Sequence, residues 1–177
     1  NSTELPFIIY NIPQTTGYNL SVSLLKRLLK NDKLIGVKNS SMPVMDIERF
    51  KAAAHEEFIV FNGPDEQYVS GRLIGADGGI GGTYGVMPEL FLKAEEFIAT
   101  GNFSNAREIQ HEINDIIIAL CSLNGSMYSV IKEILKIRGI NIGSVRGPLE
   151  ALHGEDLGKV EGIKRMIDEA IEKYQMA

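Results

Sequence analysis

An α/β fold with parallel strands is predicted by three features of the amino-acid sequence. Short apolar runs recur four times at intervals of roughly 25 residues. Helical patterns fill the gaps between them, and only helical patterns follow the last. Repeated strand–helix units of this kind lay their strands side by side in one direction, joined by crossover helices.

The four runs are residues 7–12, 34–38, 58–62 and the glycine-rich 78–84. Their near-continuous apolar content predicts strands buried on both faces. Between the first two, Leu20, Leu24, Leu25, Leu28 and Leu29 form a helical stripe. Ile47, Phe50, Ala53 and Ala54 form a weaker one before the third. The third connector, 65–74, has room for a short helix only. Beyond Tyr84 the pattern predicts a helix over 88–99 stopped by Gly101, and a strong one over 105–123 with Ile109, Ile113, Ile116, Ile117 and Leu120 on one face. A third over 128–138 ends at Gly139. A loop with Gly143, Gly147 and Pro148 then leads to a last helix over 156–174, where Val160, Ile163, Ile167 and Ile171 recur at helical spacing. No low-complexity segment or long linker appears. The expected organisation is one domain, with strands and crossovers in 1–100 and a helical extension in 101–177.

Composition narrows the functional classes. The chain has 177 residues, 44% hydrophobic and 23% charged, enough for one sizeable core. A net charge of -5 argues against a nucleic-acid partner, which requires a basic patch. No apolar stretch approaches the about 18 residues of a membrane span, and no basic-then-apolar leader is visible. A single cysteine, Cys121, permits no internal disulfide and fits a reducing, cytoplasmic setting. Lying within a predicted helix, it reads as a small buried hydrophobe. His55, His111 and His153 show no ligand spacing, so neither a metal site nor a cofactor is expected.

Four β/α units amount to half of a TIM (β/α)8 barrel, a fold whose chemistry gathers at the carboxyl ends of the strands. Those ends here read Tyr10-Asn11-Ile12-Pro13, Lys38-Asn39-Ser40-Ser41, Asn62-Gly63-Pro64-Asp65-Glu66 and Gly81-Gly82-Thr83-Tyr84, all polar or glycine-rich. Lys38 is the most pointed of these. An ammonium at the tip of an apolar strand is costly unless the position has a use. Partly desolvated, a lysine loses its proton more readily and becomes an amine nucleophile towards a ketone. Alone, Lys38 could equally reach out to solvent or a carboxylate. Tyr10, alone, would be a core tyrosine with a satisfied hydroxyl. Together they make a nucleophile and a proton carrier. Asp65 and Glu66 suit either the first turn of a helix or the hydroxyls of a substrate. The run 75–83 lacks the lysine or arginine that would complete a phosphate cradle, which favours close approach of backbone to a neighbouring strand or a small uncharged ligand.

The four strand-end motifs, in their order and at their separations, resemble those of the pyruvate-dependent class I aldolases, the family that includes dihydrodipicolinate synthase. The resemblance covers nearly the whole chain and corresponds to the fifth strand onwards of that family's barrel. It implies that Lys38 forms a Schiff base with the keto group of pyruvate and that Tyr10 moves protons during carbon–carbon cleavage. Ser40 keeps a hydroxyl near the lysine. Gly63, Asp65 and Glu66 correspond to residues touching the polyhydroxy portion of a sugar acid, as does Gly82, where the members that cleave sialic acid commonly have serine. The synthase has an arginine, for a substrate carboxylate, where this chain has Thr15. The resemblance therefore leans towards a hydroxyl-rich substrate: retro-aldol cleavage of a sialic acid into pyruvate and an amino sugar. Another pyruvate aldolase, a synthase-like enzyme and a non-catalytic half-barrel are the alternatives. It also implies a homo-oligomer, or pairing with an N-terminal half-barrel that supplies the first four units.

Overall fold

The computed structural model describes residues 4–175. The chain divides into two compact units, one ending at Gly81 and the other beginning at Gly82.

The first unit is built on four strands, β1 (Phe7–Asn11), β2 (Leu34–Asn39), β3 (Ile59–Asn62) and β4 (Gly78–Gly79). They lie in the order β1-β2-β3-β4, and every neighbouring pair is parallel. A one-turn helix α1 (Pro13–Thr16) and α2 (Val22–Leu28) follow β1, α3 (Met45–Ala53) follows β2, and α4 (Tyr68–Leu73) follows β3 behind a 3-10 turn at Asp65–Gln67. This is the half TIM barrel that the spacing predicted. α2 starts where Ser21 accepts a hydrogen bond from the Leu24 amide, a side-chain N-cap.

The core of this unit lies between one face of the sheet and the crossover helices. Leu34, Val37 and Val60 pack there with Leu25, Ile47, Phe50 and Phe58. Strict alternation would send Leu34 and Val37 to opposite faces. The register shifts between Phe7 and Ile8, so that Phe7 pairs with Leu34 and Ile8 with Gly36; the extra residue, Ile35, lets both reach the core. At the sheet's far edge the Asp77 carboxylate accepts from the Val60 amide at 2.7 Å and pairs with Lys51 of α3 at 2.9 Å.

Two expectations need correction. β1 is not buried on both faces: Ile9 and Asn11 turn to the core, while Phe7, Ile8 and Tyr10 are exposed, because β1 is an edge strand and the crossover helices cover one face of the sheet. The fourth strand is two residues long, not seven. Its glycines bring no side chains to pack, and after the Ile80 amide donates to the Asn62 carbonyl at 2.9 Å the chain turns away.

The second unit is helical: α5 (Pro88–Ala99), α6 (Phe103–Cys121), α7 (Met127–Ile137) and α8 (Leu157–Gln175). Gly101 has φ +73°, the left-handed conformation that ends a helix with little strain only in glycine, and Asn102 caps α6 by accepting from the Asn105 amide. Ile109, Ile113 and Leu120 of α6 are fully buried, as are Ile134 of α7 and Ile167 of α8. Cys121 is exposed, contrary to expectation. It is the last residue of α6 and follows, instead of joining, the stripe that Leu120 completes. Asp156 is buried just before α8. A hydrogen bond from Lys159 and others from the backbone and side chain of Asn124 hold its carboxyl below the ordinary aspartate range.

Candidate active site

Register decides what meets at the carboxyl ends of the strands. Tyr10 pairs with Lys38, Lys38 with Phe61, and Phe61 with Gly78. In-register neighbours of parallel strands present their side chains on the same face. Here it is the face away from the helix-covered core, since Ile9, Val37 and Val60 occupy the alternate positions and pack inward. Tyr10 and Lys38 therefore share one face. The Lys38 ammonium nitrogen lies over the Tyr10 ring, 4.1 Å from its centroid. Lys38 is half-buried and Tyr10 is 51% exposed, so this pair is open to a small molecule.

The loop after β3 supplies the second element. Asp65 opens the 3-10 turn and is buried, whereas Glu66 beside it is exposed. A Cβ added at Gly81 would lie 1.4 Å from Asp65 Oδ1, so the carboxylate occupies the very space that the glycine leaves. Gly63 is fixed in the same manner. A Cβ there would meet Ser40 Oγ at 2.0 Å and the Asn39 carbonyl at 2.8 Å. Gly63 and Ser40, predicted as two substrate contacts, are thus packed against each other. The glycine-rich run works by close approach to neighbouring chain, the reading the sequence favoured over a phosphate cradle.

Gly82 opens the second unit and lies against the start of α7. A Cβ at Gly82 would come 2.9 Å from Tyr128 Cε1 and 3.2 Å from the Met127 methyl. The half-exposed Tyr128 ring fills the place a serine would take. Thr15 lies exposed in α1.

Sequence reasoning passed over a row of asparagines. Asn11, Asn39 and Asn62 sit side by side in the register and are all buried, one position beyond the Tyr10–Lys38 level and on the core face. Asn11 Nδ2 donates to Asn39 Oδ1 at 2.7 Å, and Asn39 Nδ2 donates to Ser41 Oγ at 2.9 Å. Asn62 Nδ2 donates to the Pro64 carbonyl at 2.7 Å, while its buried Oδ1 has no hydrogen-bond partner among the described residues. The signal was available: three of the four predicted strands carry an asparagine within one residue of their carboxyl end, a residue depleted in strands. Among the described residues no group of acidic, histidine or cysteine side chains could hold a metal ion, and no helix is long and apolar enough to cross a membrane.

A four-stranded half-barrel with a lysine and a tyrosine facing each other at the carboxyl ends of adjacent strands defines the class. Residues 1–166 match the Dihydrodipicolinate synthetase family, and the chain belongs to it. Within that family it is 55% identical over 169 residues to N-acetylneuraminate lyase of Mediterraneibacter gnavus, covering 95% of this chain and 54% of the relative. Among solved structures, a catalytic lysine mutant of Ruminococcus gnavus sialic acid aldolase superposes with a TM-score of 0.93 at 54% identity, over 96% of this chain and 56% of that one. N-acetylneuraminate lyase from Fusobacterium nucleatum, complexed with pyruvate, matches with a TM-score of 0.83 at 31% identity, over 92% of this chain and 54% of that one. The chain spans about half the length of the curated relatives it matches.

Proposed function

We propose that this chain carries the carboxyl-terminal half of the active site of a sialic acid aldolase, with Lys38 as the Schiff-base nucleophile and Tyr10 as the proton carrier. The observation that carries the reading is the Lys38 amine over the Tyr10 ring, on the face of the sheet that helices leave open. The similarity to a sialic acid aldolase known as a catalytic lysine mutant, and to a lyase complexed with pyruvate, supports the same assignment.

In this mechanism the neutral Lys38 amine attacks the C2 ketone of open-chain sialic acid, and loss of water leaves a protonated imine. The C3–C4 bond breaks with its electron pair drawn into that imine, giving an enamine. Tyr10 oxygen accepts the proton of the C4 hydroxyl as the bond breaks, and N-acetylmannosamine departs as the aldehyde. Protonation of the enamine carbon and hydrolysis then release pyruvate and restore the amine. Asp65 and Glu66 receive the hydroxyls of the sugar portion, and Ser40, seated against Gly63, holds a hydroxyl beside the imine.

The partners of the chain follow from the sheet. Tyr10 and Ile8 are exposed beside the outer edge of β1, which pairs with no other strand among the described residues, a surface that a complementary half-barrel or a second copy would close. The test is incubation with pyruvate and borohydride followed by peptide mass mapping. The expected result is a reduced pyruvate adduct on the peptide containing Lys38, absent from Lys38→Ala. An adduct spread over surface lysines, or none at all, would remove the proposal for this chain.

A further inference from the structure

We infer that the buried chain Asn11–Asn39–Ser41–Asp46 is a positioning device that aims Lys38 and Tyr10, an inference that rests on the reading of those two residues given above. Its hydrogen bonds can be assigned a single direction. The Leu20 amide donates to Asn11 Oδ1 at 3.0 Å, which makes the other end of that side chain the donor. Asn11 Nδ2 then gives one hydrogen to Asn19 Oδ1 at 3.2 Å and the other to Asn39 Oδ1 at 2.7 Å. Asn39 Nδ2 donates to Ser41 Oγ, and the Ser41 hydroxyl donates to Asp46 Oδ2 at 2.6 Å. The 3.1 Å contact between Ser41 Oγ and Asn39 Oδ1 carries no second bond, because a hydroxyl has one proton and the carboxylate holds it. The chain starts at the loop before α2 and ends in the first turn of α3.

Stability alone does not call for these residues. The same face of the sheet carries Val37 and Val60, and a buried amide costs free energy unless fully bonded, which a valine never does. What a bonded amide adds is direction. Asn11 follows Tyr10 and Asn39 follows Lys38, and in an extended strand successive side chains leave on opposite faces. Pinning the two asparagines to each other on the buried face fixes the roll of β1 against β2. That roll sets where the phenol and the amine emerge on the other face. The backbone ladder, including the Ser40 amide to the Asn11 carbonyl at 2.7 Å, sets the spacing of the strands but leaves their twist adjustable.

The test uses the full chain with Asn39→Ala, Ser41→Ala and Ser41→Thr. Two signals are read: the ring-current shift of the Lys38 ε-methylene under Tyr10, by NMR, and the rate of imine trapping with pyruvate and borohydride. In the unaltered chain the ε-methylene resonates upfield. Ser41→Ala, which removes one oxygen and leaves the packing intact, should lose most of that shift and slow trapping by about 10²-fold, the scale of a misplacement near 1 Å. Ser41→Thr, which keeps the hydroxyl, should restore both, and Asn39→Ala should match Ser41→Ala wherever it folds. An unchanged ε-methylene shift in Ser41→Ala would overturn the inference, even if its melting temperature falls. The shift needs no turnover, so an unaltered chain that shows it but traps no pyruvate would count against the aldolase reading and leave the positioning inference to be decided by the variants.

Discussion

Gly81→Ala should be among the most damaging single-methyl additions in the first unit. The new Cβ would lie 1.4 Å from Asp65 Oδ1, 2.3 Å from Cγ and 2.7 Å from Oδ2, an overlap with the whole carboxylate and not with the end of a flexible chain. Gly81 is outside the left-handed region, so the backbone accepts alanine and the cost is steric. Either the 80–82 backbone shifts or the buried Asp65 carboxylate is forced from its place, and either is an overpacking penalty of about 1–3 kcal/mol. Taking about 3 kcal/mol as the net, the loss in melting temperature is near 10 °C for a chain of this size, at about 2–4 °C per kcal/mol. Urea or thermal unfolding followed by far-UV circular dichroism reads this directly. Gly82→Ala is the internal control, since its Cβ would meet the half-exposed Tyr128 ring at 2.9 Å and that ring can swing aside for under about 1 kcal/mol. Equal losses at 81 and 82, or a loss under about 0.5 kcal/mol at 81, would refute the claim that Asp65 fills the space of the missing side chain.

Further expectations concern chemistry and pH. Tyr10→Phe should still form the pyruvate imine, because the amine is untouched, yet lose about 10²–10⁴-fold in turnover of the assembled enzyme; coupled assay of released pyruvate checks it. Gly63→Ala should weaken trapping at Lys38 as well as stability, since its Cβ would strike Ser40 Oγ at 2.0 Å and the Asn39 carbonyl at 2.8 Å. In the second unit, burial raises the carboxyl of Asp168, but hydrogen bonds from Lys164 and Arg138 outweigh it, and the group ends below its ordinary 3.8. A depressed carboxylate contributes stability that is complete above its unfolded pKa and is lost as pH falls through the folded one. The stability gap between the unaltered chain and Asp168→Asn should therefore be constant above about pH 5 and close progressively below pH 4; urea midpoints across that range would show it.

How far the sequence foretold the structure depends on whether the deciding partner was near in the chain. Pro88–Ala99 was placed to the residue, because the proline, the apolar stripe and Gly101 are all local signals. The Lys38–Tyr10 pairing was also legible: each ends an apolar run, and equal depth in a parallel sheet follows from the spacing of the runs. The asparagine row was missed because its meaning lies across strands, in an amide contact between residues 28 apart. Gly63 and Gly81 read as a loop composition, and only Ser40 and Asp65 packed against them reveal why no larger residue fits. Cys121 was misjudged because helical period alone does not say where a buried stripe stops.

In β2 the positions alternate between scaffold and reagent: Val37 faces the oil-like interior, Lys38 the open side, Asn39 the interior again. Removing one residue between Ile35 and Lys38 would reverse that parity. The amine would point among Ile47, Phe50 and Val60 with no counter-ion, and Asn39 would take the seat beside the phenol. Length here is as strictly fixed as residue identity, and a single-residue deletion in this strand should abolish chemistry and folding together.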